Sequence, residues 1–191
     1  ALLPLPGPLQ LLGAEPFAVN MVAILVLREV GILLTAIMVA GRSGSAFTAE
    51  IGSMKLNEEI DALDATGVDA IETLVLPRIL GLVIALPLLT FIALVAGLLG
   101  GLAVGVTSLD IPAVAYLARM HEMMEMRHFV VGMVKAPVFA MIIALIGCLE
   151  GLQTEGTAQS LGERTTSSVV QSISMVIIID AFAALWFMQM D

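Results

Sequence analysis

The sequence contains four apolar runs, each long enough to cross a lipid bilayer as a helix. They cover about residues 17–41, 79–106, 129–149 and 169–188. A helix needs roughly 20 apolar residues to span the hydrocarbon core, and these runs lack the polar–apolar alternation of a transmembrane strand. We therefore expect an all-α polytopic membrane protein, a helical bundle of about four spans, as a single transmembrane domain over residues 1–191.

The composition agrees with a chain whose solvent is largely lipid. Hydrophobic residues make up 59% of the sequence, charged residues 13%, and the mean hydropathy is +1.04. A soluble domain has about 25% charged residues. The net charge of −9, with only eight Lys and Arg residues, argues against a nucleic-acid partner, which requires clustered basic residues.

Three polar connections separate the apolar runs, at residues 42–78, 107–128 and 150–168. They contain three, two and one Lys or Arg residues respectively. The positive-inside rule therefore favours a cytoplasmic side for the first and third connections. Four spans would then leave both termini outside, so we expect a further N-terminal portion with a fifth span to precede this sequence.

The first connection has a helical composition over residues 42–72, with no proline before Pro77. It carries two apolar stripes on nearly opposite sides: Phe47, Ile51 and Met54 on one, and Leu56, Ile60 and Leu63 on the other. The helix must therefore either break near Lys55–Asn57 or lie between two partners. Gly67 is the expected C-terminal stop.

Acidic residues dominate this segment, with seven acidic and three basic residues between Arg42 and Arg78. An amphipathic helix on anionic lipid is instead rich in Lys and Arg. Two interpretations remain open: a solvated loop helix, or a docking element for a protein with a basic surface.

Four charged residues lie inside the apolar runs: Arg28, Glu29, Lys135 and Asp180. A charge at the bilayer centre costs about 2.5–3.5 kcal/mol and persists when it is paired or faces a cavity. We expect Glu29 to pair with Lys135, and Arg28 with Asp180. The cluster could hold the spans together, or it could form the polar wall of a cavity.

Residues 27–78 carry a specific combination of motifs. In order, they contain an R-E pair, the run G-R-x-G-S-A-x-x-A-E-x-G-x-M, an E-x-x-D-A-L block and a terminal P-R. This region resembles the signature of the MlaE-type permeases, and of the similar YrbE-type permeases. These are the membrane subunits of Mce-associated ABC transporters that move phospholipid between bacterial membranes. The later spans, through "IDAFAALWF", are similar in placement, so the resemblance covers nearly the whole chain.

The resemblance implies a role for each polar region. Residues 42–78 would form a cytoplasmic coupling segment seated in the ATPase, through Glu50, Met54, Lys55, Glu58 and Glu59. The substrate cavity would lie between the two subunits of a homodimer, with Arg28, Glu29, Lys135 and Asp180 in its wall. An interfacial helix and a first span would precede this sequence.

The resemblance also implies partners and a location. The partners would be an ABC ATPase that binds ATP and Mg, a periplasmic Mce-domain protein, phospholipid and, as a further candidate, a STAS-domain accessory protein. The location would be the bacterial inner membrane, where the system maintains the lipid asymmetry of the outer membrane. This chain itself would be non-catalytic and hold no cofactor or metal.

Two other functions compete with this interpretation. The sequence has no G-x-x-x-x-G-K-[ST] motif, so ATP hydrolysis would belong to a separate subunit. A proton-coupled secondary transporter using Glu29 or Asp180 would need no such subunit. An intramembrane metalloenzyme could use His121, Glu125 and His128, which share one helix face at i, i+4 and i+7. A periplasmic interfacial helix is the preferred interpretation of that stretch.

Overall fold

The structure is a computed structural model that describes residues 29–108 and 126–190, together with the single positions 112, 114 and 118. Over the two long ranges the chain is helical and contains no strand, as the sequence predicts. The α-helices are α1 Gly31–Val39, α2 Ser45–Leu56, α3 Glu59–Ala65, α4 Leu76–Ser108, α5 Met126–Leu152 and α6 Ala158–Met190. One π-helical turn, Ala40–Gly44, joins α1 to α2, and a second, Ile71–Val75, leads into α4.

Four helical stretches are long and apolar enough to cross a membrane. They are Gly31–Leu56, Ile71–Thr107, Gly132–Leu152 and Ala158–Trp186, of 26, 37, 21 and 29 residues. The predicted number of spans in this chain is confirmed. Residues 17–28 of the first predicted run lie outside the described residues.

The first span continues well past its predicted end at Gly41, because α1, the π-helical turn and α2 form one unbroken helix to Leu56. Two hydroxyl groups near the π-helical turn bond back to a carbonyl one turn earlier in the same helix. Ser45 Oγ donates to the Gly41 carbonyl at 2.7 Å, and Thr48 Oγ1 donates to the Gly44 carbonyl at 3.1 Å. Part of the predicted coupling segment is therefore packed inside the bundle.

The helix breaks after Leu56, which is one of the two alternatives that the opposed apolar stripes left open. Asn57 caps α2, and Glu58 adopts a left-handed conformation with φ of 59° before α3 begins. Ile51 on α2 and Ile60 on α3 can consequently enter the same buried cluster. The predicted stop at Gly67 is also confirmed, since α3 ends at Ala65 and Gly67 has φ of +79°.

Helix α5 is the central helix, packed against α1, α2, α4 and α6. Its buried face carries Ala136, Ala140 and Ala144 beside the larger Phe139 and Ile143, and small residues let neighbouring helices approach closely in a lipid environment. The main buried cluster consists of Ile32, Ala36, Val39, Ala40, Leu82, Leu86, Ala136, Phe139, Ala140, Ile143, Ala144 and Val176.

Glycines bring α2 and α5 into backbone contact. A Cβ added at Gly147 would lie 2.8 Å from the Gly44 carbonyl oxygen, and one at Gly151 would lie 2.8 Å from Ile51 Cβ. Thr48 Oγ1 donates across this seam to the Gly147 carbonyl at 2.9 Å. The two helices therefore meet along a seam that larger side chains would prevent.

Helix α4 lies at the periphery and exposes an apolar face along its length. Its exposed side chains include Leu80, Ile84, Leu88, Ile92, Val95 and Leu99. An exposed surface of this composition and length is suited to contact with lipid tails.

Candidate functional site

Lys135 on α5 is the centre of a buried charge cluster. Its Nζ donates to Glu29 Oε2 at 2.8 Å and to Asp180 Oδ1 at 3.0 Å. The Lys135 side chain is only 3% exposed, whereas the Glu29 and Asp180 side chains are 27% and 12% exposed. An ammonium group buried this deeply requires such partners, because desolvating an unpaired charge costs several kcal/mol.

Three different segments supply the cluster. Glu29 lies two residues before α1, Lys135 is in the first half of α5, and Asp180 is in the second half of α6. Because α5 and α6 run in opposite directions around a five-residue connection, these positions come to the same level of the bundle. The cluster thus forms one polar layer among apolar spans.

The predicted pairing of Glu29 with Lys135 is present in the structure. Asp180 also bonds to Lys135, where the sequence suggests Arg28 as its partner. Arg28 lies outside the described residues, so the Arg28–Asp180 pairing stays a prediction. One cation therefore serves two carboxylates, an arrangement that pairwise matching of charges does not suggest.

The predicted coupling residues fall into two groups. The first is engaged within the chain: Glu50 Oε2 accepts a bond from Arg78 Nη2 at 3.0 Å, and Lys55 Nζ donates to the Leu152 carbonyl at the end of α5. Met54 packs against the buried cluster around Ile51. These contacts tie α2 to the beginning of α4 and the end of α5.

The second group is exposed. Glu58 and Glu59 lie at the reversal between α2 and α3, and Asn57 Nδ2 donates to Glu59 Oε1 at 3.2 Å. Most of α3 and the stretch that follows it to Glu72 is also exposed, with Ile60 and Ala70 as the buried exceptions. Of the predicted coupling residues, Glu58 and Glu59 are accessible to a partner, and so is Glu50, whose side chain is 61% exposed although it bonds to Arg78.

The predicted metal ligands cannot be placed. The side chains of His121, Glu125 and His128 lie outside the part of the chain that the structure describes. Among the described residues, no group of three or more His, Cys, Asp and Glu side chains could hold a metal ion.

A second buried charge cluster was not found from the sequence. Glu150, near the end of α5, has a side chain 4% exposed and pairs with Arg164 Nη1 at 3.1 Å. Gln171 Nε2 and Ser167 Oγ donate to the other carboxylate oxygen, at 2.6 and 3.4 Å. Glu150 lies at the predicted border of a span, where a charge looks solvated, so no sequence signal marks it as buried.

Residues 7–186 match the family described as Permease MlaE. A probable ABC transporter permease protein of Rickettsia bellii is 38% identical over 166 residues, which are 87% of this chain and 64% of the relative. A probable ABC transporter permease protein of Synechocystis is 38% identical over 176 residues, which are 92% of this chain and 66% of the relative.

A more distant relative comes from a plant. The chloroplastic protein TRIGALACTOSYLDIACYLGLYCEROL 1 of Arabidopsis thaliana is 36% identical over 162 residues, which are 85% of this chain and 46% of the relative. The chain thus spans between about half and two thirds of the length of these three proteins.

Proposed function

Because the chain belongs to the MlaE permease family, we propose that it is the permease subunit of a phospholipid-transporting ABC system. It would move phospholipid between the bacterial inner membrane and a periplasmic Mce-domain carrier, and so maintain the lipid asymmetry of the outer membrane. The permease works as a homodimer with a separate ATPase that binds ATP and Mg, and a STAS-domain protein is a further candidate partner.

The observation that carries this proposal is the charge cluster at Lys135. Ionisable groups within membrane spans are rare and mark substrate pathways when they face a cavity. Glu29 and Asp180 accept bonds from the Lys135 ammonium. The Lys135 side chain is 3% exposed and the Glu29 side chain 27%, so a lipid would approach the cluster on the Glu29 side.

The surface at Glu58, Glu59 and α3 supports coupling to a separate ATPase. This surface is acidic and exposed, and it follows α2 directly, which the bonds of Glu50 and Lys55 attach to α4 and α5. A displacement of α3 by the ATPase would therefore reach two spans through α2. A rigid attachment of this kind is what a helix needs to act as a lever.

The name of the Arabidopsis relative contains that of a galactolipid, which agrees with a lipid as the transported molecule. The ABC transporter names of the Rickettsia and Synechocystis relatives agree with an ATPase partner.

The proposal is tested by reconstituting the full-length permease with its ATPase in vesicles that contain a fluorescent phospholipid. We expect ATP-dependent transfer of the lipid to an Mce-domain acceptor, and loss of transfer in Glu29→Lys with normal size-exclusion behaviour and normal retention of the ATPase. The matched control is Glu163→Lys, because Glu163 is exposed on α6 and outside the cluster. Transfer at the wild-type rate by Glu29→Lys would contradict a role for the cluster in transport.

The competing function, a proton-coupled secondary transporter, makes the opposite prediction. Vesicles that contain this permease alone would then transport lipid when a proton gradient is applied, without ATP. A pull-down from native membranes separates the two functions independently, since the ABC system requires an ATPase and an Mce-domain protein to be recovered with the chain.

A further inference from the structure

A groove on the outside of the bundle contains an unpaired arginine. The groove has a volume of about 550 Å³ and lies between the first span and α4. Arg42 lines it from the π-helical turn, and the Arg42 side chain is exposed. Within the described part of the chain, no hydrogen bond or ion pair engages its guanidinium group.

The other walls of the groove are mainly apolar. Met38 on α1 and Leu89 and Ile92 on α4 line it, and Met38 and Ile92 are 75% and 63% exposed. Leu89 and Ile92 lie near the middle of the uncharged run at residues 79–106. The groove is therefore a long apolar surface with one cation beside it, at a level where α4 carries no charge.

Arg42 is distant from Glu29 and Glu50, the acidic residues before and after it on the same continuous helix. Along the helix axis it lies about 12 Å from Glu50 and about 20 Å from Glu29, at 1.5 Å per residue. Glu50 is already bonded to Arg78, and Glu29 to Lys135. An arginine in a candidate span without a protein partner is costly unless a ligand supplies the opposite charge.

We propose that this groove binds an anionic glycerophospholipid, with its phosphate on Arg42 and one acyl chain along Met38, Leu89 and Ile92. A guanidinium group matches two phosphate oxygens in a bidentate arrangement, and the apolar walls match an acyl chain. The site is separate from the Lys135 cluster, which lies at another level of the bundle. The inference rests on the proposed function in one respect, namely that the chain works on lipid.

The site is tested by photolabelling the full-length protein, without ATP, using phosphatidic acid that carries a diazirine in one acyl chain. We expect labelled peptides from residues 38–43 and 89–93. Unlabelled phosphatidic acid should compete about tenfold better than diacylglycerol of the same acyl chains, because a hydrogen-bonded charge contact is worth at least that factor. Inorganic phosphate should not compete at the same concentration.

Two variants separate the headgroup contact from the acyl-chain contact. Arg42→Gln should remove the preference for phosphatidic acid over diacylglycerol, and Ile92→Trp should reduce labelling of this site by filling the groove. Ile84→Trp is the matched control, because Ile84 is equally exposed on α4 at 67% and does not line the groove. In Ile84→Trp the groove peptides should be labelled to the same extent as in the wild-type protein.

Several outcomes would overturn the proposal. Absence of label from these peptides means that the groove is covered. Equal competition by diacylglycerol means that the headgroup is not recognised, and equal competition by inorganic phosphate indicates a free-anion site. These comparisons need only the wild-type protein, so they hold even if Arg42→Gln does not fold. Because labelling requires neither the ATPase nor transport, failure of the proposed ABC function would leave it unchanged.

Discussion

At one end of α5 a buried cation, Lys135, is held by two carboxylates, whereas at the other end a buried carboxylate, Glu150, is held by Arg164 and neutral donors. Among the described residues, the ammonium at the first end bonds to Glu29 and Asp180 only. The second end has further contacts: Arg164 is 32% exposed and also bonds to Gln153, and glycine contacts hold α5 to α2 beside it.

The difference indicates which end tolerates change. Removing Lys135 removes the ammonium group to which both Glu29 and Asp180 bond. Removing the charge of Glu150 leaves an arginine that reaches solvent. We therefore expect the Lys135 end to be decisive for assembly and transport, and the Glu150 end to be held by backbone packing more than by charge.

The largest effect is expected from Lys135→Met. Breaking a buried ion pair by removing one partner costs about 3–5 kcal/mol, so the thermal unfolding midpoint in detergent should fall strongly. The triple variant with Glu29→Gln and Asp180→Asn should recover most of the loss, because no unpaired charge is left. An unchanged midpoint for Lys135→Met alone would contradict the role of the cluster in holding the spans.

A smaller effect is expected from Gly147→Ala at the other end. The added methyl would meet the Gly44 carbonyl oxygen at 2.8 Å, and overpacking of this kind costs about 1–3 kcal/mol. Gly162→Ala makes the same change on α6 with no atom within 4 Å. The thermal unfolding midpoint should fall for Gly147→Ala and stay at the wild-type value for Gly162→Ala. Equal midpoints for the two variants would contradict the close packing of α2 against α5 at Gly147.

Glu150→Gln should cost less, about 1 kcal/mol. The new amide oxygen can still accept from Gln171, so only the charge-assisted bond from Arg164 is weakened. The control is Glu163→Gln, which neutralises an exposed carboxylate bonded to Gln159 on the same helix. If Glu150→Gln lowered the thermal unfolding midpoint as much as Lys135→Met does, stability would depend equally on the charges at the two ends of α5, which would contradict the comparison.

The smallest effect is expected from Lys55→Met, about 0.3–1 kcal/mol. The Lys55 ammonium donates to the Leu152 carbonyl at the C-terminal end of α5, where a positive charge also favours the helix dipole. Lys55→Arg should retain the interaction. Hydrogen exchange at the last turn of α5 is the sensitive measurement. Equal exchange rates in Lys55→Met and Lys55→Arg would contradict a stabilising bond from Lys55 to the Leu152 carbonyl.

The features that were predicted correctly come from patterns within a single segment of the sequence or from residue types that are rare in membrane spans. Span number follows from the length of the apolar runs, and the break after Leu56 is one of the two alternatives that follow from two stripes on opposite helix faces. The Glu29–Lys135 contact could be predicted because charges within spans are few and must be compensated.

The features that were missed depend on long-range contacts between common residues. Glycine is frequent in membrane helices, so nothing in the sequence selects Gly44 and Gly147 as partners. The continuation of the first span to Leu56 was missed because the apolar run ends before Arg42, so the helical residues that follow were assigned to the polar connection. The hydroxyl groups of Ser45 and Thr48 bond within the helix or across the seam, and composition does not show this.

The π-helical turn Ala40–Gly44 has a consequence for how this chain tolerates changes in length. A π-helical turn accommodates one more residue than an α-helical turn. Deleting one residue there would let an α-helical turn close in its place, so the side chains of α2 would keep their direction towards α5. One further residue inserted there would instead turn the following side chains by about 100°, and Thr48 and Ile51 would leave α5. A single insertion at this point should therefore be far less acceptable than a single deletion.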